Sequence, residues 1–581
     1  MPDTDAACGD AMINCNQYQS ATSGLCSIGG ACIATACKAG YHLYNGACEE
    51  NSDNHCGAHG ASCDTLHLYT CNVASGQCGC PAGYDEINHV CVKKSVDVVC
   101  DSNHYAEVFF DGEMVKAYCL SSASDLEAMR EGLATNATWP TSNSQRAFVL
   151  VNDIDLGTQQ TWEPLPFPEQ GSLVGNAHNI WGDLTCDGDC ALFDTFEKAK
   201  VHDLNLNFKI TAEGNAASLA MNVNYTKIKN VQVNGEISTS QNAGGIVYIS
   251  ERSSISYSNF KGSIFGGETS SVGGIVYELL DGSILSQCVV DGVLNAKNVG
   301  GIAAMSESRI INTHSFGEFR GMTIGGIVSF GDELAKIILC SSAANIYGSE
   351  VDDSNVYFGG LFGHCDDGVI DSSVFYGSIY GKNNVGGLIG VTSTDPCVIK
   401  RSGVFGIIEG NGQTEDIGGI FGQGFADDGQ NQRLYSSFVA ADIRHAARGA
   451  QIGRSNFYLT EGYSTGGFED VGATSVDAIE YSNNANEDYR FYYWYDSGTD
   501  NILAKSIDKI DYVGMDQKVG DTLLVDALNK AYQEANSSTE SPWELRVCEI
   551  TTGPAKGTPT KYNMAVPKSM VDISICKPYT P

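Results

Sequence analysis

The sequence predicts an all-β protein. A parallel β-helix, or β-solenoid, of about nine coils is preceded by small disulfide-rich modules and closed by a C-terminal α+β cap. Three observations favour this class. A cassette of the form apolar-Gly-Gly-apolar recurs seven times, other residues recur in step with it, and 14 of the 22 cysteines lie between Cys8 and Cys119. A repeat near thirty residues is typical of solenoids, and dense cysteines are typical of small oxidised modules.

The cassette sets the period of the predicted coils. Its second glycine falls at positions 245, 274, 301, 326, 360, 387 and 419, so successive copies lie 25 to 34 residues apart. A four-stranded propeller blade needs a longer period. Glycine permits the sharp corners and close backbone approaches that join short strands, so each cassette is predicted to form a corner of one coil.

A second ladder of residues runs between the cassettes. Its apolar anchors are Ile255, Leu285, Ile310, Ile338, Ile370, Ile399 and Leu434. Three residues beyond each anchor stands a small residue, namely Ser258, Cys288, Thr313, Ser341, Ser373, Ser402 and Ser437. Equivalent residues at equivalent positions predict coils stacked about 4.8 Å apart.

Two sets of six cysteines come before the repeat, in segments 1–50 and 51–94. They are Cys8, Cys15, Cys26, Cys32, Cys37 and Cys48, followed by Cys56, Cys63, Cys71, Cys78, Cys80 and Cys91. The second set ends in "CGCPAGYDEINHVC", and "CKAGYHLYNGAC" in the first set is similar. This ending resembles an EGF-like module. The resemblance implies that the first cysteine pairs with the third, the second with the fourth and the fifth with the sixth, whereas the sequence by itself allows fifteen connectivities in each module.

Metal binding by this region is the weaker interpretation. A zinc site would use these cysteines with His55, His59 and His67, but such sites favour repeated C-x2–4-C pairs. The stretch "NSDNHC" before the second module half fits the acidic pattern of calcium-binding EGF modules. We therefore predict no metal site and no cofactor, with calcium kept as a minor alternative.

The remaining chain divides into three predicted parts. Segment 95–147 carries a hairpin turn at Asp111-Gly112, closed by a disulfide between Cys100 and Cys119, and then a short helix with Ser124 and Glu127 as its capping box. Segment 148–465 is the solenoid, and 466–581 is the cap, with an amphipathic helix in "GDTLLVDALNKAYQEAN". The other predicted disulfides are Cys186 with Cys190 and Cys548 with Cys576. Cys365 and Cys397 fall in consecutive coils and are candidates to pair, while Cys288 and Cys340 are expected to be small buried residues.

Three cassettes carry a further glycine, in "GGLFG" (359–363), "GGLIG" (386–390) and "GGIFG" (418–422). These stretches resemble the GLUG motif of bacterial surface proteins. The lead-in "VLVNDIDLGTQQTWEPLPFPEQGSLVGNAHNIWGDL" is similar to the segment that precedes such motifs in adhesin-like proteins. The resemblance covers about 149–465 and implies a secreted or surface-exposed solenoid. Some relatives of this kind are adhesins, and some carry the motif beside IgA-specific metallopeptidases.

Composition excludes some classes of partner. The formal net charge of −36 disfavours nucleic acid and anionic membrane surfaces, and no apolar run approaches the roughly 18 residues of a membrane span. The start "MPDTDAACGD" has neither the basic nor the apolar region of a signal peptide. With cysteine-rich modules directly behind it, this start indicates a mature chain that is extracellular, either secreted or attached to a cell surface.

No catalytic residue is predicted. The acidic pairs at 352–353, 366–367 and 427–428 mostly run into glycine, which is turn chemistry. His364 is the best acid–base candidate but has no identifiable partner, and H-E-x-x-H does not occur. The sequence therefore predicts that the chain is not an enzyme, with a polysaccharide lyase or glycoside hydrolase as the weaker alternative.

The leading functional hypothesis is a non-enzymatic protein of adhesion or extracellular recognition. Its partners would be glycans or proteins of a host or neighbouring cell, or copies of itself if it is instead a filament or coat subunit. Candidate sugar-stacking residues are Tyr492, Tyr493, Trp494 and Tyr495, although an apolar strand that seals the last coil is the favoured interpretation. Sequons for N-glycosylation begin at Asn136, Asn224 and Asn536.

Overall fold

A computed structural model describes most of the chain from residue 14 to residue 446 and shorter segments beyond. The described residues are 14–15, 20–26, 31–44, 47–52, 56, 70–80, 84–87, 90–110, 113–135, 146–348, 356–393, 397–414, 417–423, 433–435, 437–446, 488–495, 505–506, 518–519, 522–536, 541–550, 560–568 and 576–578. The chain forms two compact units, residues 1–94 and 95–581.

The described residues of the first unit form four antiparallel hairpins and several disulfides. The hairpin strands pair Ala21–Cys26 with Cys32–Cys37, Tyr41–Tyr44 with Ala47–Glu50, Thr70–Asn72 with Gln77–Gly79, and Tyr84–Ile87 with Val90–Lys93. Disulfides join Cys15 to Cys32, Cys37 to Cys48 and Cys56 to Cys71, and Cys26, Cys78 and Cys80 are also disulfide-bonded. The region is thus rich in disulfides, as its cysteine pattern indicates.

The second unit is dominated by a parallel β-solenoid of about ten turns, so the predicted fold class is confirmed. Its longest sheet, sheet 1, begins with an antiparallel hairpin of Tyr105–Phe110 and Glu113–Leu120. The following strands of sheet 1 are Ala147–Leu150, Ile154–Gln159, Ser172–Val174, Asn179–Cys186, Lys200–Ala212, Lys227–Thr239, Ser254–Ser256, Asn259–Phe265, Ile284–Ser286, Val289–Asn295, Arg309–Ile311, His314–Gly321, Lys336–Ile338, Ser341–Ser342, Asn345–Gly348, Val369–Asp371, Val374–Phe375, Ser378–Gly381, Val398–Lys400, Gly403–Thr414, Arg433–Tyr435, Ser437–Ala446, Asp488–Tyr495 and Lys505–Ser506.

Two further parallel sheets complete each coil. Sheet 2 has nine strands, namely Phe193–Glu197, Ala220–Asn224, Val247–Glu251, Val276–Leu279, Ala303–Ser306, Val328–Gly331, Phe362–Cys365, Ile389–Thr392 and Phe421–Gln423. Sheet 3 has eight strands, namely Ala216–Ala217, Ala243–Gly244, Ser271–Gly273, Asn298–Gly300, Thr323–Gly325, Tyr357–Gly359, Val385–Gly386 and Ile417–Gly418. One continuous apolar core runs inside the coils from Leu120 to Phe421.

Each cassette forms the corner between sheet 3 and sheet 2, and in the six cassettes from Gly244-Gly245 to Gly386-Gly387 neither glycine leaves space for a Cβ. A methyl group on the first glycine would overlap a carbonyl of its own coil, as Gly300 shows with Ala303. A methyl group on the second would overlap the carbonyl of the equivalent glycine in the next coil, as Gly301 shows with Gly326. The backbones therefore approach more closely than any residue with a Cβ permits.

The small-residue ladder also exists, with one position corrected. The residue in register with Ile310 is Ile337, not Ile338, so the small residue of that coil is Cys340 and not Ser341. The ladder hydroxyls accept hydrogen bonds from the preceding coil, for example from the Cys340 backbone N–H to the Ser373 Oγ at 3.0 Å. Among the described residues, Cys288 and Cys340 are the free cysteines; both are buried, and burial raises the pKa of each thiol to about 12.

The first helix, Ala123–Thr135, places Leu126 and Met129 in the core at the start of the solenoid. Its capping differs from the predicted Ser124–Glu127 box. The Ser122 Oγ accepts the Asp125 backbone N–H at 3.3 Å, and the Asp125 carboxylate accepts the Ser121 backbone N–H at 2.8 Å. The prediction was wrong because the helix begins two residues earlier than expected, so Ser122 takes the place of Ser124 and Asp125 takes the place of Glu127 in the capping hydrogen bonds. A disulfide joins Cys100 to Cys119 beside the hairpin.

The described parts of the C-terminal region are α and β. The second helix, Leu524–Asn536, places the Tyr532 ring 5.6 Å from the Arg401 guanidinium, which also binds the Asp371 carboxylate. Further strands are Lys518–Val519 with Thr522–Leu523, and a three-stranded sheet of Trp543–Ile550, Thr560–Pro567 and Cys576–Pro578 in which Cys548 and Cys576 are backbone partners. No helix within the described segments is long and apolar enough to cross a membrane.

The corner geometry predicts a large difference between two glycine substitutions. Gly300→Ala should lower the stability of the solenoid by about 1–3 kcal/mol, because the new methyl group overlaps the Ala303 carbonyl. Gly188→Ala is the matched control: its methyl group meets no atom within 4 Å, so we expect a change within about 0.5 kcal/mol. Thermal unfolding followed by circular dichroism measures both. Equal midpoints for the two variants would contradict the proposed role of the corner.

Candidate functional site

The candidate site is a cleft of about 380 Å³ beside the first strands of sheet 2. We call it the cleft and define it by its lining residues, Pro164, Pro166, Asp189, Asp194, Met221, Asn222 and Tyr248. These residues come from five segments between positions 164 and 248. A concave site with several apolar surfaces and a few polar groups is typical of ligand binding.

One wall of the cleft carries Pro164 and Pro166 and is fixed to the solenoid at several points. The buried Trp162 donates its indole N–H to the Ala191 carbonyl at 2.8 Å. The Leu165 N–H binds the Leu192 carbonyl at 2.9 Å. From the first helix, the Arg130 guanidinium donates to the Glu163 carbonyl at 2.6 Å. The proline wall is therefore held in place by buried and helical contacts.

The second wall carries Asp189, in a short loop closed by the Cys186–Cys190 disulfide. One oxygen of Asp189 accepts the backbone N–H of Asn215 at 2.7 Å and its side-chain amide at 3.2 Å. The contact begins a polar ladder along the corner, since the Asn215 side chain accepts the Asn242 N–H at 3.2 Å and the Asn242 side chain accepts the Ser271 N–H at 2.8 Å. The position of Asp189 is thus set by successive coils.

The apolar floor of the cleft is formed by Met221 and Tyr248. Met221 is buried with Ala191 and Ala217, and Tyr248 packs against this cluster. The Tyr248 ring stacks on that of Tyr277 in the next coil, with centroids 4.7 Å apart and planes 7° apart. Burial raises the pKa of Tyr248 to about 12, so its hydroxyl stays neutral at physiological pH.

The remaining polar groups are Asp194 and Asn222. Asp194 is exposed on the first strand of sheet 2, and Asn222 is half-buried on the second. Within the described part of the chain, neither side chain makes a hydrogen bond or an ion pair, and the cleft lining contains no lysine or arginine. The cleft therefore presents carboxylate oxygens and one amide with capacity for a ligand.

The outer face of sheet 2 continues from the cleft along the solenoid. The column of residues in register with Asn222 is Ile249, Glu278, Met305, Phe330 and His364. His364, the predicted acid–base candidate, therefore lies five coils from Asn222, or about 24 Å. Burial and then the nearby Glu307 raise the pKa of Glu278. The face is mixed apolar and acidic, and it does not bring His364 to the cleft.

The surroundings of His364 are mainly aromatic. Its ring lies 5.8 Å from that of Phe330 and 6.0 Å from that of Tyr357. Burial lowers the pKa of His364, although the charges of Asp366 and Asp332 act in the opposite direction. The described residues give this histidine no hydrogen bond that would activate it as a base.

The other predicted site residues lie apart from the cleft. Asp366 and Asp367 occupy a turn, in which Asp367 has a φ of 50°; the pairs 352–353 and 427–428 lie outside the described residues. Tyr492, Tyr493, Trp494 and Tyr495 belong to the strand Asp488–Tyr495, which pairs antiparallel with the last solenoid strand Ser437–Ala446. Cys365 and Cys397 form a disulfide between consecutive coils.

The predicted sequons differ in their positions relative to the cleft, since Asn224 lies on the same sheet 2 strand as the cleft residue Asn222, two residues further along. Asn224 is half-buried at the end of a sheet 2 strand, and the Thr226 hydroxyl of its sequon donates to the Phe196 carbonyl at 3.0 Å. Asn536 ends the second helix, and Asn136 lies outside the described residues. Glycosylation at these positions stays a prediction. Within the described residues, no group of three histidine, cysteine or acidic side chains is placed to hold a metal ion.

Sequence reasoning missed the cleft because all of its lining residues except Tyr248 lie before the first cassette. The register pairs Ala216 with Ala243 and Ala217 with Gly244, so Ala216-Ala217-Ser218 is a cassette in which both glycines are replaced. A search for the corner with small residues instead of glycine would have found this coil. It would not have shown that Pro164, Asp189 and Asp194 converge on it, since that depends on the path of the preceding coil.

Comparison with known proteins gives partial relatives. No family model matches the chain, so the GLUG and EGF-like resemblances stay predictions. An immunoglobulin A1 protease of Streptococcus sanguinis is 33% identical over 140 residues, which is 22% of this chain and 8% of that protein. One from Streptococcus pneumoniae is 32% identical over 149 residues, 25% of this chain and 7% of that protein. A solved structure of an IgA1 protease is 14% identical, covers 62% of this chain and 28% of that chain, and has a TM-score of 0.31.

These comparisons overturn one expectation. The sequence predicts that the chain is not an enzyme, but the relatives found by sequence are named as proteases. The prediction rested on the lack of an identifiable catalytic set, and it is contradicted by that likeness. The chain spans less than a tenth of the length of these relatives.

The environment of His364 predicts a pH-dependent loss of stability. Because burial lowers its pKa, the unfolded chain binds a proton at this residue before the folded chain does. Stability should therefore fall as the pH drops from the ordinary histidine pKa of about 6.5 towards the lowered value. His364→Gln removes the titrating side chain. The thermal midpoint of this variant should therefore change less than that of the wild type between pH 7.5 and pH 5.5. An unchanged pH dependence in the variant would contradict the assignment.

Proposed function

We propose that the chain acts in extracellular recognition, with the cleft and the adjoining outer face of sheet 2 as its binding surface. The cleft carries the proposal, because it joins a proline wall and an apolar floor to two carboxylates and an amide on a stack of parallel strands. Binding groups that are held in place before the ligand arrives lose less entropy on association. A secreted or surface location is supported by the disulfides and by the partial likeness to immunoglobulin A1 proteases.

The candidate partner is immunoglobulin A1. It is named in the partial relatives of this chain, and an acidic solenoid face suits a protein ligand better than nucleic acid. The partial likeness supports a proteolytic context for this proposal, in which binding by the solenoid would hold the immunoglobulin in position for cleavage. Adhesin-like attachment to a cell uses the same recognition surface, and self-assembly stays a prediction to be tested by sedimentation over a dilution series.

Binding to immunoglobulin A1 should depend on the charge of the cleft. We expect Asp194→Lys to weaken binding by about tenfold or more, because it removes an acceptor of charge-assisted hydrogen bonds and introduces a long cation. Asp183→Lys is the matched control, because Asp183 is exposed on the sheet 1 strand Asn179–Cys186, outside the cleft lining. This substitution changes the net charge of the chain by the same amount as Asp194→Lys. Biolayer interferometry with the full chain immobilised measures both.

Two results would count against this function. If the unaltered chain does not bind immunoglobulin A1, the partner is wrong. If Asp194→Lys and Asp183→Lys weaken binding equally, the effect belongs to the net charge of the chain and not to the cleft.

A further inference from the structure

We infer that the ligand of the cleft is a neutral saccharide, either as a glycan on a glycoprotein or as part of a polysaccharide. This inference rests on the proposed function of the cleft as a recognition site. The cleft is open to solvent on one side and its volume of about 380 Å³ is near the small end of the range for ligand sites. Such a space suits a short saccharide.

The apolar surfaces of the cleft match the apolar face of a sugar ring. Pro164 and Pro166 present their rings on one wall, and the Met221 side chain and the Tyr248 ring form the floor. Stacking on Tyr277 holds the Tyr248 ring in one plane. A sugar ring packs its C–H groups against fixed apolar surfaces of this kind, which gains contact area at low entropic cost.

The polar groups match the hydroxyls of a sugar. Asp189 and Asp194 supply carboxylate oxygens, and hydroxyl donors bind carboxylates more strongly than they bind neutral acceptors. Asp189 is already held by Asn215 at 2.7 Å, so little ordering is needed when a ligand binds. Asn222 adds an amide that both donates and accepts. Several acceptors beside few donors favour a ligand rich in hydroxyl groups.

The same groups discriminate against other ligands. A sialic or uronic acid would bring a carboxylate towards Asp189 and Asp194 with no lysine or arginine in the lining to balance it. A basic side chain would satisfy the two carboxylates but would leave the Asn222 amide and the proline rings without a role. A neutral saccharide uses the carboxylates, the amide and the apolar surfaces together.

The test is a titration of the full chain followed by saturation-transfer NMR. The probes are the methyl glycosides of mannose, galactose and N-acetylglucosamine, with glucuronic acid, sialic acid and N-acetylarginine amide as comparisons. We expect at least one neutral glycoside to bind and the two acids to bind at least tenfold more weakly. Asp194→Asn, a conservative change at an exposed residue, should weaken binding of the neutral glycoside by about tenfold.

A matched pair of tyrosine variants separates the site from its support. Tyr248→Ala removes the floor of the cleft, whereas Tyr277→Ala removes the other member of the same stack outside the cleft lining. We expect Tyr248→Ala to abolish glycoside binding and Tyr277→Ala to weaken it by less than threefold. Equal losses in the two variants, or binding of the arginine probe without the glycosides, would overturn the inference.

A second arm separates this inference from the proposed partner. If deglycosylated immunoglobulin A1 binds as tightly as the native protein and no glycoside binds, the saccharide inference is wrong while the proposed function stands. If glycosides or a neutral polysaccharide bind and native immunoglobulin A1 does not, the inference stands and the proposed partner is wrong. Loss of immunoglobulin binding on deglycosylation supports both and assigns the source of the saccharide to the glycoprotein.

Discussion

The structure depends on the close approach of backbone to backbone at the paired glycines. At six corners between sheet 3 and sheet 2, from Gly244-Gly245 to Gly386-Gly387, one glycine lies against a carbonyl of its own coil and the next against a carbonyl of the following coil. These contacts leave no room for a Cβ, and they bring every coil into the same register as its neighbours. Because the register is fixed at the corner, the apolar residues of all coils meet in one core and the outward residues form straight columns.

The same constraint explains why the candidate site lies where the repeat is least regular. The residues in register with Asp194, Met221 and Tyr248 form one column along sheet 2. Towards the C-terminal end of the sheet, the side chains of this column become smaller, and the column contains glycine at Gly363 and Gly390. At the beginning, the corner uses Ala216-Ala217-Ser218, and the larger Met221 and Tyr248 project beside it. The proline wall and the disulfide loop of Asp189 then enclose these side chains. The candidate binding groups therefore lie on the irregular first coils of an otherwise regular solenoid.

Much of the fold follows from the sequence, but the site does not. The Gly-Gly spacing predicts the corners because only glycine fits such contacts, and the ladder predicts the stacking, with its one misplaced anchor at Ile338. That error arose because the coil with Ile337 and Ile338 has two apolar residues in succession, and periodicity alone does not choose between them. The corners of sheet 1 were missed for a similar reason: Asn230, Tyr257 and Leu339 adopt positive φ values there without any glycine to mark them. The cleft could not be predicted from the sequence, because its residues are far apart in sequence and do not form a repeated motif.

The central claim is that the cleft, and not another part of the outer surface, receives the ligand. The most direct measurement is NMR of the full chain with ¹³C-labelled methionine methyl groups, recorded while a neutral methyl glycoside is added. Met221 lies in the cleft floor, Met305 is 37% exposed three coils along the same face, and Met114 is 61% exposed on the hairpin. The account predicts that the Met221 signal shifts while those of Met305 and Met114 stay in place. A shift confined to Met305 or Met114, or no shift at all, would contradict it.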